Sequence, residues 1–152
     1  MKFIAKNLLN SKIKRFILLT LLLILYILVS AISYTNAVCS DIQESIFRLH
    51  VIANSDSAED QNLKYIVRDS VIEYINEISN NASSKDEVIL IAQEHLSEIE
   101  NIALQTIKDN GYNYPVKVSI GNFAFPSKKY GDITLPPGYY DALKIEIGEA
   151  TG

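Results

Sequence analysis

His50, Asn54, Asp56, Glu59 and Asp60 make the densest polar cluster in the sequence. An imidazole and three carboxylates this close together could hold a divalent cation or move protons. An EF-hand loop beginning at Asn54 would need Gly at its sixth position and Glu at its twelfth; the chain has Glu59 and Tyr65 there, which excludes that loop. A divalent site built from Asn54, Asp56 and Asp60 is the alternative, and His50, Asp56 and Asp60 together could serve a small exported hydrolase or metal-dependent enzyme. Asn, Ser and Asp are also what a strand-to-helix junction uses for turns and caps with no ligand at all. That plainer reading is preferred, and neither a metal nor a cofactor is expected.

Catalysis by histidine needs an oriented base beside a nucleophile. Neither His50 nor His95 sits in a G-x-S-x-G or H-E-x-x-H pattern, and Glu98 and Glu100, two apart on a helix, do not face each other. No catalytic constellation emerges, so the chain is not expected to be an enzyme. Two other groups could bind a partner. Arg68, one turn after Lys64 and next to Asp69, offers either an interaction face or an ordinary helical ion pair. Between Phe123 and Tyr140, aromatic residues alternate with Pro126, Pro136 and Pro137, a composition that presents rigid aromatic anchors. The two Phe residues are expected to fill core, whereas Tyr130 and Tyr139 are expected at the surface. Candidate partner contacts are therefore His50, Asn54, Asp56, Asp60, Arg68, Tyr130 and Tyr139.

The elements that must position these residues follow from periodicity. In residues 46–53, Phe47, Leu49 and Val51 alternate with Arg48 and His50, the pattern of a half-buried strand with His50 on its polar side. Ser57 precedes Glu59 and Asp60, a helix-start signal, and Leu63, Val67, Val71, Tyr74 and Ile78 then form one apolar stripe, predicting a helix over 58–79. Ser84 repeats the signal, and Val88, Ile91, Ala92, Leu96, Ile99, Ala103 and Ile107 predict a second helix that ends near Lys108 and Gly111. Residues 114–121 predict a second strand, with Gly121 as a bulge. Leu143, Ile145 and Ile147 opposite Lys144 and Glu146 predict a third over 139–147. The expected fold class is α+β, in the order β-α-α-β-β, with a small, mainly antiparallel sheet and two helices on one face.

The chain's 152 residues, with one Cys and no Trp, leave room for one ordinary domain and exclude disulfide scaffolds and thiolate zinc cages. Lys2, Lys6, Lys12, Lys14 and Arg15 all precede Phe16; without them nine basic residues face 18 acidic ones. So acidic a body repels a phosphate backbone, and no nucleic-acid partner is expected. Residues 16–32 carry no charge and follow the basic stretch, as in an export signal. Seventeen apolar-rich residues lie near the lower limit for a span of roughly 30 Å. A signal peptide cleaved after Ala37, with Thr35 and Ala37 as its small residues, and a retained N-terminal anchor both fit. Val38 stands where a lipobox before Cys39 wants a smaller residue. The expected organisation is a signal peptide or membrane anchor over 1–37 and a single exported domain over 40–152.

The run FRLHVIANSDSAEDQNLKYIVRDSV at 47–71 resembles the stage II sporulation protein R family of endospore-forming bacteria. YPVKVSIG at 114–121, FPSKKYGDITLPPGYYDALKIEIGE at 125–149 and the export segment are similar to it as well. The resemblance implies a non-enzymatic signal: a protein made in the forespore, exported into the space between forespore and mother cell, that activates a membrane-embedded aspartic protease. That protease then processes the precursor of the sporulation sigma factor sigma-E. Members usually continue after the I-G-E segment into a tail with paired Trp, a Cys and a Pro-Pro-Leu-Cys type run. This sequence stops at Thr151-Gly152, and the expectation is that the family's C-terminal tail is lacking.

Overall fold

The computed structural model describes residues 2–152, with the side chains of residues 1–11 and of Asn36 outside the description; Lys2 and Lys6 of the basic stretch fall there. Helix α1 covers Lys2–Ser45. Its stretch Lys12–Ser45 is the one helix among the described residues long and apolar enough to cross a membrane, and none of its apolar window is buried in the protein. Thr35 and Ala37 lie within this helix, which runs on past them to Ser45. By internal contacts the chain divides into two compact units, Met1–Asp41 and Ile42–Gly152.

The second unit takes in the last turn of α1 and then strand β1, Arg48–Ile52. Helix α2, Ala58–Ile78, follows. Ser57 has extended backbone, and its side chain accepts from Asp60 N at 3.1 Å, satisfying one of the unpaired amides of the first turn. Leu63, Val67 and Val71 are buried, as the stripe requires. The expected second helix is two. Helix α3, Lys85–Glu94, and helix α4, Leu96–Asp109, meet at His95, whose φ of −104° and ψ of 18° interrupt the helical backbone. The imidazole there is held by Tyr74, with Oη 2.9 Å from Nδ1. Apolar spacing alone could not reveal this break, because the stripe continues in phase across it. Helix α4 closes where Gly111, at φ +84°, takes the left-handed conformation; Gly111 N donates to Lys108 O and Tyr112 N to Ile107 O.

Strand β2, Val116–Phe125, and strand β5, Gly138–Ile147, are each ten residues long. Between them the Pro/Gly segment forms a hairpin of β3, Lys128–Tyr130, and β4, Ile133–Leu135, rather than a plain turn. The main sheet has the order β1-β5-β2. β2 pairs antiparallel with β5 along its whole length, as expected of a mainly antiparallel sheet, whereas β1 pairs parallel with β5, so the sheet is mixed. The β-α-α-β-β order is likewise extended by the extra helix and the hairpin. The parallel pairing is possible because three helices, β2 and the hairpin lie between β1 and β5, and parallel strands need such a long connection. Gly121 is not a bulge: it pairs in continuous register with Ala142. A Cβ there would meet the Phe123 ring at 3.2 Å, so the glycine makes room for that ring.

Leu143, Ile145 and Ile147 of β5 face the helices, forming one core with Leu63, Val67, Val71, Ala92, Ile99, Ala103 and Ile107. On the opposite sheet face, Phe125, Tyr140 and Ala142 form a second, smaller core, with Ile46 and Phe123 packed against it.

Candidate functional site

The β1–α2 junction brings together only part of the polar cluster. The Asp60 carboxylate is buried, with 4% of the residue exposed. Its Oδ2 accepts from Ser55 Oγ at 2.6 Å and from Asn54 Nδ2 at 2.9 Å. These bonds, the Ser55 one foremost, hold its pKa below the ordinary carboxylate value, and the nearby Tyr114 phenol lowers it further. The same phenol has its pKa raised, first by burial and then by Asp60. Asn54 turns its other end to the far end of the chain: its Oδ1 accepts from Glu149 N at 3.0 Å, and its carbonyl accepts from Thr151 Oγ1 at 2.8 Å. Gly148, at φ +61°, is in so close an approach that a Cβ would collide with the Asn54 side chain. Asn54 and Asp60 therefore knot the junction to the segment after β5. Asp56 stays exposed at the rim.

His50 lies elsewhere, on the sheet face away from the helices. Phe125 pairs with Gly138, six positions along β5 from Lys144, the partner of His50; on a flat sheet that offset alone is about 20 Å. The His50 and Phe125 ring centroids are nevertheless 5.1 Å apart. The far ends of β2 and β5 thus curl back over the sheet, and they roof β1. Under that roof Arg48 is buried, with its Cζ 3.9 Å from the Phe125 centroid and 4.8 Å from that of Tyr140. Its Nη2 donates to Tyr130 Oη at 3.4 Å. Burial, then the nearby Lys144 and Arg48 charges, lower the His50 pKa from its ordinary value, so the ring is neutral at physiological pH. His50 Nδ1 and Arg48 Nη1 are buried without a hydrogen-bond partner.

The cluster is thus split: His50 neighbours Phe125, Arg48 and Lys144, while Asp60 neighbours Asn54, Ser55 and Ser57. Among the described residues no group of three His, Cys, Asp or Glu side chains could hold a metal ion. Arg68 pairs with the adjacent Asp69, Nη2 to Oδ1 at 2.6 Å, and its guanidinium lies 5.0 Å from the exposed Tyr65 ring. Tyr130, on β3, and Tyr139, on β5, are exposed at 53% and 67%, beside Ile133 at 67%. Their neighbour Tyr140 is fully buried, and its Oη donates to Pro136 O at 2.6 Å. Sequence reasoning missed the burial of Arg48: no local signal marks it, because the rings that cover it come from residues 125 and 140.

Residues 43–152 match the family model described as stage II sporulation protein R. Stage II sporulation protein R of Bacillus subtilis (strain 168) is 35% identical over 111 residues, which cover 73% of this chain and 50% of that protein. The chain therefore spans about half the length of the curated relative it matches. No solved structure matches.

Proposed function

The chain belongs to the stage II sporulation protein R family of sporulation proteins, and on that premise we propose that it is an intercompartmental signal. In this reading α1 takes the chain to or through the forespore membrane, as a signal peptide or as an anchor. The folded unit then acts in the space between forespore and mother cell. It binds a membrane-embedded aspartic protease and switches it on, without chemistry of its own, and the protease processes the precursor of sigma-E. The observation that carries the proposal is the family match across 43–152, which begins within the last turn of a helix apolar enough to cross a membrane.

The contacts we propose are Tyr130 and Tyr139. Pro126, Pro136 and Pro137 restrict the backbone around them, so little ordering cost falls due on binding. Large amphipathic rings of this kind are enriched among residues that dominate binding energy. Asp56 and the partly exposed Arg68 are further contact candidates. Asn54, Asp60 and His50 act in this reading by holding the surface in shape.

The test is reconstitution. The chain is expressed beside the protease and the sigma-E precursor, and the shortened product is sought. A folded, exported chain that yields none overturns the proposal. Tyr139→Ala is expected to lose activation with an unchanged melt, and Tyr130→Ala to lose activation with a small drop in the melt, because it also removes the hydroxyl that accepts from buried Arg48. Activation at the wild-type level in both would remove the hairpin from the contact.

A further inference from the structure

Arg48 is a buried cation without a counter-ion. The residue is 9% exposed, and among the described residues no carboxylate lies within ion-pair distance of its guanidinium. Two acids of β5 are engaged elsewhere, Glu146 with Lys144 at 3.0 Å and Asp141 with Lys85 at 2.6 Å. Arg48 lies over the Phe125 and Tyr140 rings, contacts that ease the charge and take none of its N–H groups. Of its two terminal nitrogens, Nη2 has the 3.4 Å bond to Tyr130 Oη, long for a charge-assisted one, and Nη1 has no partner. Taking a cation out of water costs far more than one weak bond to a phenol returns.

The way in is through Tyr130. That residue is 53% exposed and belongs to neither core cluster, so its hydroxyl reaches down to Arg48 from the surface. Lys128 and Lys129 precede it, both exposed, and Asp132 is the one acid of the hairpin; such a rim favours the approach of an acidic group. Beneath Tyr130, Nη1 and Nη2 form the end of the guanidinium that a planar carboxylate takes with both oxygens. His50 Nδ1, likewise buried without a partner, rests against the same Phe125 ring. None of this involves the last residues of the chain, which bond at Ala53 and Asn54, past the other end of β1.

We propose that Arg48 is a carboxylate-binding site, closed in the unbound protein by the Tyr130 hydroxyl, which an incoming carboxylate displaces to take both terminal nitrogens of the guanidinium. The exchange puts a charged acceptor in place of a neutral one at a cation that has no other. A flat carboxylate fits the space a hydroxyl vacates better than a tetrahedral phosphate does. Its source is either an acidic side chain of a partner protein or a small free acid. The inference stands apart from the protease reading, whose failure would leave it intact.

The test uses the full chain in phosphatidylcholine nanodiscs. Acetate and, separately, an end-blocked Gly-Ser peptide carrying one Glu are titrated in, with sodium chloride at matched ionic strength and the Gln form of the peptide as controls. The carboxylates should bind and raise the melt with concentration by mass action, and the controls should not. Tyr130→Phe, which removes the competing hydroxyl and keeps the ring, should tighten binding about threefold or more; Arg48→Lys, which keeps the charge and loses the fork, should weaken it about tenfold or more. Because Tyr130→Phe changes so little in shape, it tests the site even where Arg48→Lys fails to fold. A peptide bound at least about tenfold tighter than acetate assigns the site to a partner's acidic side chain, and a smaller margin to a free acid. No binding beyond the controls, binding that Tyr130→Phe fails to tighten, or binding that a folded Arg48→Lys leaves unchanged would overturn the proposal.

Discussion

Asn54 donates to the Asp60 carboxylate at 2.9 Å and at the same time accepts from the backbone of Glu149, so one amide side chain joins the start of α2 to the segment that leaves β5. Asn54→Ala strips the buried carboxylate of a donor and frees the Glu149 amide, and is expected to cost about 1–3 kcal/mol. Denaturant unfolding of the variant measures it. Because the folded pKa of Asp60 is depressed, its contribution is fully present above the ordinary value of 3.8 and is lost as pH falls through the lower folded value. Asp60→Asn should therefore lower stability at neutral pH and flatten the acid limb of the stability curve. An unchanged acid limb would contradict the network.

His50 should impose a second pH dependence, at higher pH. The folded ring binds a proton less readily than the unfolded one, because of burial and the Lys144 and Arg48 charges; Glu146 opposes these and Lys64 adds to them. Stability from this group is present above 6.5 and declines as pH falls below it toward the depressed folded value. Thermal melts should drop between neutral pH and pH about 5, and His50→Gln should remove most of that slope. Equal slopes in the two proteins would place the ring outside the aromatic roof.

Tyr139 and Tyr140 make an internal control. Tyr140→Ala empties a fully buried site and should cost about 3–5 kcal/mol. Tyr139→Ala, at an exposed position, should stay within about 0.5 kcal/mol. Chemical denaturation of the pair tests the assignment, and a reversal would put Tyr139 in the core.

Ser57→Ala should cost about 1 kcal/mol through loss of the bond from Asp60 N. Ser57→Asp, which keeps an acceptor at the cap, should recover most of it. A loss shared equally by both variants would mean that the hydroxyl works elsewhere.

Local chemistry made much of this protein legible from its sequence. The apolar run of α1, the cap at Ser57, the stripe of α2, the glycine stop of α4 and the alternation of β1 and β5 each depend on residues close in the chain, and each is present where its pattern lies. The run at 47–71 likewise carried the family, since a long specific string needs no fold to be read. Tertiary structure decided the rest. The helix break at His95 depends on Tyr74 reaching its ring from another helix. The parallel pairing of β1 depends on where a long crossover returns the chain. The cluster at 50–60 was divided because alternation sent His50 to the far sheet face, while the turn at Asn54 folded Asp60 into a network with Ser55 and Asn54 that Glu149 closes. Arg48, read as an outward-facing charge, became a buried cation because strands more than seventy residues away curl over it. Side-chain pattern fixes which face a residue takes; only packing of the whole chain fixes what covers that face.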